Sequence, residues 1–206
     1  MNDAVEEYRE QIFKKLNFKI NPAIIILDIG CGDGRDSVYF AERGAAVIGL
    51  DQLESGMWKK FSQKFPRLSF QKGDGEKLPF PKESFDLVYA KDVVHHTPHP
   101  EKFMKEALRV VKKGGQLVSI EANRYNPLFY FHMTLLLGHE HFTRSYFKKI
   151  ILNTAPSNKV KFHYFEAHVF PFPKFLRNTL YRIQDLSEKI IFWKPFLSYN
   201  SARINK

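Results

Sequence analysis

The sequence predicts an α/β fold: three layers built on a doubly wound, mainly parallel sheet. Three observations support this. Short apolar runs alternate with helix-period segments from Ala23 to Glu121, the order that builds right-handed crossovers onto a parallel sheet. The first run, Ala23 to Ile29, is nearly continuous in apolar residues, as in a strand buried on both faces. Gly30, Gly32 and Gly34 follow it at once, and a helix-like segment follows them. Strand, tight glycine turn and helix is the local geometry that lets a backbone approach a ligand closely.

The elements follow in order. Residues 3–16 read as an amphipathic helix, with Val5, Tyr8, Ile12, Phe13 and Leu16 on one face, and Asn21-Pro22 ends the segment. Strand one is Ala23 to Ile29. A helix from Asp36 to Arg43 ends at Gly44, and strand two is Ala46 to Leu50. The next helix starts near Glu54 or Ser55 and runs to about Phe65, where Pro66 stops it. Strand three is Leu68 to Lys72. Residues 73–84 read as loop, punctuated by Pro79 and Pro81, and strand four is Phe85 to Lys91. A helix from Pro100 to Val111 ends in Lys112-Lys113-Gly114-Gly115, a stop signal with the right charge for the helix dipole. Strand five is Gln116 to Glu121. A helical insertion follows it: an apolar helix or lid from Pro127 to Leu137, then a helix capped by Thr143 and running through Leu152. Val160 to Val169 reads as strand six, Lys174 to Ile191 as mostly helical, and Phe196 to Ile204 as a last strand. There is no internal repeat or low-complexity tract.

The loop carries the functional signal. A dinucleotide fingerprint reads G-x-G-x-x-G and aims a helix N-terminus at a pyrophosphate. Here the run is Gly30-Cys31-Gly32-Asp33-Gly34, and Arg35 stands where the third glycine would fall. Asp28 precedes the loop and Asp33 lies inside it. Two carboxylates there repel a pyrophosphate and suit a ligand carrying an ammonium or sulfonium. Strand two ends at Asp51, about 20 residues beyond the loop, where an acid can accept from both ribose hydroxyls. Asp51 can also serve as a helix N-cap. Together these features point to a nucleoside but away from NAD, so a nucleotide-dependent dehydrogenase is disfavoured.

Four blocks stand in order: LDIGCGDG from Leu27, GLD from Gly49, GDGEKLPFPKESFDLVYAKDVVHH from Gly73, and VVKKGGQLVSIE from Val110. In these blocks the chain resembles the class I S-adenosylmethionine-dependent methyltransferases, most nearly their small-molecule and lipid methylating branch. The resemblance covers Ile24 to about Glu121. It implies a Rossmann-like methyltransferase fold in which the last strand is antiparallel and inserted beside strand six, closing a seven-stranded sheet. It implies S-adenosyl-L-methionine as cofactor. Gly30, Cys31, Gly32 and Gly34 would lie against the methionine part. Asp28 would orient the loop and favour the ammonium, and Asp51 would bind the ribose. Gln52 and Leu53 would line the adenine pocket. Asp74, preferred over Glu76 by alignment of the motif, would accept the adenine amine, and the Gly75 amide would meet a ring nitrogen. The backbone carbonyl at Lys91 would meet the cofactor's ammonium.

Catalysis by methyl transfer mainly needs alignment, because the sulfonium is already a strong electrophile. A base is needed only for a weakly acidic acceptor. His96, the second of a His pair, is the first candidate for acceptor contact or general base, against a role in capping the loop. Glu121 ends strand five at the carboxyl edge of the sheet and is the second candidate. Asn123, Arg124, Tyr125 and Asn126 follow it. Tyr8 and Phe13 could cover the cofactor or simply pack.

Charge divides the chain. Residues 1–123 hold 19 Lys+Arg and 18 Asp+Glu, whereas residues 124–206 hold 13 basic and 4 acidic residues and 18 of the 31 aromatics. A near-neutral cofactor half thus precedes a basic, aromatic half. The reading is one methyltransferase domain over 1–206: an N-terminal helix or lid at 1–20, a cofactor core at 23–121 and an acceptor-side insertion with the final strands at 124–206. The basic half fits an anionic or membrane-surface acceptor, or serves only to solubilise an aromatic-rich extension. RNA stays open as an acceptor. DNA base methylation is disfavoured, because Ala90-Lys91-Asp92-Val93 stands where a D/N-P-P-Y/F block would be. A non-catalytic cofactor-binding protein is the remaining alternative. His132, His139, His141, His163 and His168 suggest no metal site, since His139-Glu140-His141 lacks the i, i+4 spacing of a helical zinc site. The single Cys31 and the polar N-terminus fit a cytoplasmic setting, with peripheral membrane contact allowed. No run approaches the about 18 apolar residues of a membrane span.

Overall fold

A computed structural model of the chain describes residues 3–136, 138, 140–170 and 172–206. Met1 and Asn2 of the N-terminus, Leu137 at the end of the expected apolar helix, His139 and Pro171 lie outside the described residues.

The elements in chain order are α1 (Asp3–Leu16), β1 (Ile25–Ile29), α2 (Arg35–Glu42), β2 (Ala46–Asp51), α3 (Met57–Lys64), β3 (Leu68–Lys72), β4 (Phe85–Lys91), α4 (Pro100–Val110), β5 (Val111–Ala122), α5 (Pro127–Phe129), α6 (Arg144–Thr154), β6 (Val160–Phe165), α7 (Lys174–Ser187) and β7 (Tyr199–Asn205). The seven strands form one sheet in the order β3-β2-β1-β4-β5-β7-β6. β1 pairs parallel with β2 and with β4, β2 with β3, and β4 with β5. At the far edge the direction reverses. Gly114 N–H donates to the Lys206 carbonyl and Lys206 N–H to Gly115, while Asn123 N–H donates to Ser198, a register that only opposed strands give. The sheet is therefore mixed, seven-stranded and Rossmann-like, with the helical insertion after β5, as the sequence predicts.

The chain falls into two compact units. One holds Ile20–Glu121, Ser145–Phe162 and Ser201–Lys206, and the other Met1–Lys19, Ala122–Arg144 and His163–Asn200. In the first, β1 and β4 are buried because helices cover both faces: Ile26, Leu27, Val88 and Tyr89 are shut off from solvent. Phe40 of α2 meets the Tyr89 ring edge-on at 5.2 Å, and Phe103, Met104, Ala107 and Val110 bury one face of α4. The chain order reverses between β1 and β4. In open α/β sheets such a switch point opens a crevice at the carboxyl ends of the strands.

Several boundaries differ from expectation, each for a nameable reason. β1 begins at Ile25 rather than Ala23 because the Asn21 side chain and carbonyl take the N–H groups of Ala23 and Ile24 in a turn. α3 begins at Met57, after a turn in which the Ser55 hydroxyl accepts from Met57 N–H. β5 starts at Val111, not Gln116, because residues 114–115 pair with the chain's last residue. β6 stops at Phe165, not Val169: the next N–H groups are taken by side chains, Glu166 N–H by Glu188, Ala167 N–H by Ser198 and His168 N–H by Gln184. α7 ends at Ser187, and a 3-10 segment, Ile191–Phe196, precedes β7. The segment after Phe129 winds as a π-helix, Tyr130–Leu136.

Candidate cofactor and active site

The crevice at the switch point is a cavity of about 410 Å³. It is lined by Ile29, Gly30, Gly32, Leu50, Asp51, Gln52, Leu53, Gly73, Gly75, Asp92, Val93, His96, Thr97 and Phe103, all from the first unit. The size lies within the range of about 300–1,000 Å³ typical of small-ligand sites.

Its floor is the 30–34 loop. Gly30, Gly32 and Gly34 all take positive φ, at 73°, 52° and 86°. At Gly30 a side chain has no room, since a Cβ would stand 2.3 Å from Val93. At Gly32 no protein atom lies within 4 Å of the Cβ position, so bare backbone faces open space. The loop is pinned from behind. Gly30 N–H donates to the Leu50 carbonyl at 2.7 Å, and the Trp58 indole N–H donates to the Gly32 carbonyl at 2.8 Å. Trp58 itself stacks on Phe70 with centroids 5.2 Å apart.

Asp51, at the end of β2, is fixed by two backbone donors. Gly32 N–H reaches one carboxylate oxygen at 2.9 Å and Leu53 N–H the other at 3.0 Å. Each oxygen keeps lone pairs for a ligand. The carboxylate is thus tied to the glycine loop and aimed at the same cavity, which suits a ribose diol. The contact from Leu53 N–H closes a turn over residues 51–53, so Asp51 also has a structural role.

Asp28 lies beneath the loop rather than on the wall. It is fully buried, and the Ser37 hydroxyl donates to it at 2.5 Å. Burial, aided by the nearby Asp36 charge, pushes its carboxyl up to about 7, against the hydrogen bond from Ser37. A cation brought above the loop would favour its charged form. Cys31 is buried behind the loop, and burial pushes its thiol up. Gly34 stands at the start of α2. Both are set back from the cavity, as are Asp74, Lys91 and Glu121.

On the far wall, Asp74 accepts Glu76 N–H at 2.8 Å in a turn that presents Gly73 and Gly75 to the cavity. Asp74 is exposed, and its second oxygen takes no protein donor among the described residues. Glu76 is buried and occupied by His99, through its N–H at 2.8 Å and its ring at 3.0 Å. Glu76 is thus taken up within the protein, while Asp74, set back from the lining, keeps one carboxylate oxygen without a protein donor among the described residues. The Lys91 ammonium pairs with Asp92 at 2.8 Å.

Glu121 is wholly buried and acts as a clamp. Its carboxylate accepts Val93 N–H at 3.2 Å, Val94 N–H at 2.8 Å and the His95 ring at 2.5 Å. Burial raises its pKa. Burial also pulls His95 down, but the hydrogen bond and charge of Glu121 outweigh it and leave the imidazole raised. The His95 ring lies 4.0 Å from that of His96, and His96 is exposed on the cavity wall. Of the two candidate catalytic residues, His96 reaches the cavity. Glu121 stands one layer behind and holds the turn that carries it.

Asp92, Val93, Thr97 and Phe103 also line the cavity, although no motif singles them out as site residues. Asp92 left one trace: it takes φ 50°, a left-handed conformation that Asp tolerates better than most residues, at the end of a buried strand. The walls hold two carboxylates and no lysine or arginine. Such a lining disfavours a pyrophosphate and suits a cationic nucleoside. The residues present therefore fit S-adenosylmethionine.

The family comparison agrees. Residues 27–119 match the family model described as a methyltransferase domain. The methyltransferase segment, residues 27–119, is a little under half of the chain. The methyltransferase segment is 40% identical over 108 residues to the phthiotriol/phenolphthiotriol dimycocerosates methyltransferase of Mycobacterium leprae, covering 50% of this chain and 39% of that protein. It is 37% identical over 115 residues to the sterol 24-C-methyltransferase ERG6B of Gibberella zeae, covering 52% and 30%. The chain thus spans well under half the length of either relative. A solved S-adenosylmethionine-dependent methyltransferase from Aquifex aeolicus superposes with a TM-score of 0.63 at 15% identity, covering 95% of this chain and 88% of that one. At that identity the superposition shows the shared fold alone.

Proposed function

We propose that the protein transfers a methyl group from S-adenosylmethionine to a small-molecule or lipid-like acceptor. The observation that carries the cofactor reading is the tie between Gly32 and Asp51. A bare glycine backbone and a pre-oriented carboxylate face one cavity whose walls bear no lysine or arginine. The lipid-like acceptor class rests on the named activities of the sterol and phthiotriol relatives.

When bound, the cofactor supplies an electrophilic methyl on a sulfonium. The chain's residues bind and align. Asp51 would accept the ribose hydroxyls. Asp74 and the Gly75 amide would read the adenine edge. Asp51, with Asp28 once a cation favours its charged form, would supply the negative field that a cationic ligand needs. His96 is the group placed to take a proton from an acceptor hydroxyl or carbon acid. Glu121 is a positioning residue: it holds the 93–96 turn and, through His95, the plane beside His96.

The test is incubation of the protein with methyl-labelled cofactor and cell extract, with label then partitioned among lipid, small-molecule, protein and RNA fractions. Label in the lipid or small-molecule fraction is expected. Label confined to RNA or protein would overturn the acceptor class. No label in any fraction above the Asp51→Ala control would overturn the enzymatic reading.

A further inference from the structure

In the unit that contains α1 and residues 163–200, helix α7 is inside out. Its buried side chains are polar. Arg177 makes two hydrogen bonds to Glu7 of α1, at 2.8 and 2.9 Å, and Gln184 donates to Gln11 at 2.8 Å. Lys15 adds an ion pair to Asp185 at 2.9 Å. The opposite face carries Phe175, Ile183 and Leu186, all exposed, at the spacing of one helical stripe. The chain that follows continues the pattern with Ile190, Ile191 and Phe192, the last 88% exposed. A helix that spends its polar side on its neighbour and bares its apolar side is arranged for a medium other than water.

We infer that this face is a docking surface for an anionic lipid bilayer. Charge complementarity identifies the occupant. Lys174, Arg182, Lys189 and Lys194 are exposed along the same stretch, and none of them makes an ion pair among the described residues. Residues 124–206 as a whole carry 13 basic against 4 acidic side chains. Basic side chains bracketing an apolar stripe match a headgroup layer above an acyl boundary: the stems lie on the apolar surface and the charges meet lipid phosphates. RNA phosphates would answer the charge but leave Ile183, Leu186, Ile190 and Ile191 unanswered, because aliphatic side chains offer no stacking platform. No helix among the described residues is long and apolar enough to cross a membrane, so the contact is made from one side. Residues 127–136 bare a second apolar stretch in the same unit, including Leu128, Phe131 and Leu135.

This inference deepens the acceptor reading by naming where a lipid-like acceptor is met, but its observations and test are independent of methyl transfer. The full chain is mixed with phosphatidylcholine vesicles, with vesicles containing phosphatidylserine, and with the latter built from brominated acyl chains. Co-flotation with the anionic vesicles is expected, reduced by salt. Brominated chains should quench Trp193, which sits within the exposed 3-10 segment, while the buried Trp58 stays bright. The double substitution Phe175→Ser with Phe192→Ser should weaken vesicle binding by at least about tenfold. Both side chains are exposed, so the fold and cofactor titration should be unchanged. Absence of flotation with anionic vesicles, or flotation without quenching, would overturn the inference. So would a micromolar dimer abolished by the same double substitution, which would assign the face to a second copy. Salt-sensitive RNA binding in place of vesicle binding would do the same.

Discussion

Replacing Glu121 with glutamine tests whether the wall that carries His96 is held from behind. The side chain is wholly buried and accepts from two backbone N–H groups and from the His95 ring. Glutamine keeps one carbonyl oxygen for the Val93 and Val94 donors, but it turns an amide donor, without charge, toward His95. Hydrogen bonds to a charged group are worth about 1.5–3 kcal/mol each. Breaking a buried pair by removing one charge costs about 3–5 kcal/mol. A loss of about 3 kcal/mol near neutral pH is expected, read as a shift in the urea midpoint. The pH dependence gives a second, independent readout. Glu121 holds the His95 pKa above its ordinary 6.5 against burial. A raised histidine pKa contributes stability that is fully present below the unfolded value and is lost as pH rises through the folded one. The gap between the wild-type protein and the Glu121→Gln variant should therefore be wider at about pH 6 than at about pH 9. Because the 93–97 segment lines the cavity, cofactor affinity should fall as well. A variant within about 0.5 kcal/mol of the parent at every pH, with unchanged cofactor affinity, would refute the clamp.

Two further outcomes follow from the loop. Asp28 is held up to about 7 by burial, from an ordinary 3.8, so the native state keeps a proton that the unfolded chain has lost in that window, and stability falls as pH rises through it. At about pH 8, Asp28→Asn should raise the stability of the ligand-free protein by about 2–4 kcal/mol in urea unfolding yet weaken cofactor binding; loss of stability there would contradict the burial argument. Gly32→Ala should cost only about 1–2 kcal/mol, from its left-handed backbone, while cutting cofactor affinity, because the added methyl enters the cavity. Gly30→Ala, with Val93 at 2.3 Å from the new atom, should instead damage folding, and equal behaviour of the two variants would sink the assignment of the loop's two sides.

What the sequence could express was local. The alternation of apolar runs with helices, and the Gly30-Cys31-Gly32-Asp33-Gly34 turn, specified the parallel core and the cavity floor because both are written in neighbouring residues. Asp51 was legible from its distance to the loop, although its grip on Gly32 N–H was not. The start of β5 and the end of β6 moved because distant partners set them. Residues 114–115 are extended because Lys206 pairs with them, and residues 166–168 leave the sheet because Glu188, Ser198 and Gln184 take their N–H groups. The back wall was hidden for the same reason: that Glu121 serves Val93, Val94 and His95 depends on β5 lying beside β4. The inverted polarity of α7 was masked because periodicity shows that a helix has two faces but not which of them is turned inward.

The central claim, that the cavity over the 30–34 loop binds S-adenosylmethionine, is tested most directly by calorimetric titration with that cofactor and with NADH, on the parent protein and on Asp51→Ala. Saturable binding of S-adenosylmethionine at sub-millimolar concentration is expected, with no binding of NADH and at least about a hundredfold loss in the variant, from two charge-assisted hydrogen bonds to the ribose. NADH binding in its place, or S-adenosylmethionine binding that Asp51→Ala leaves intact, would contradict it.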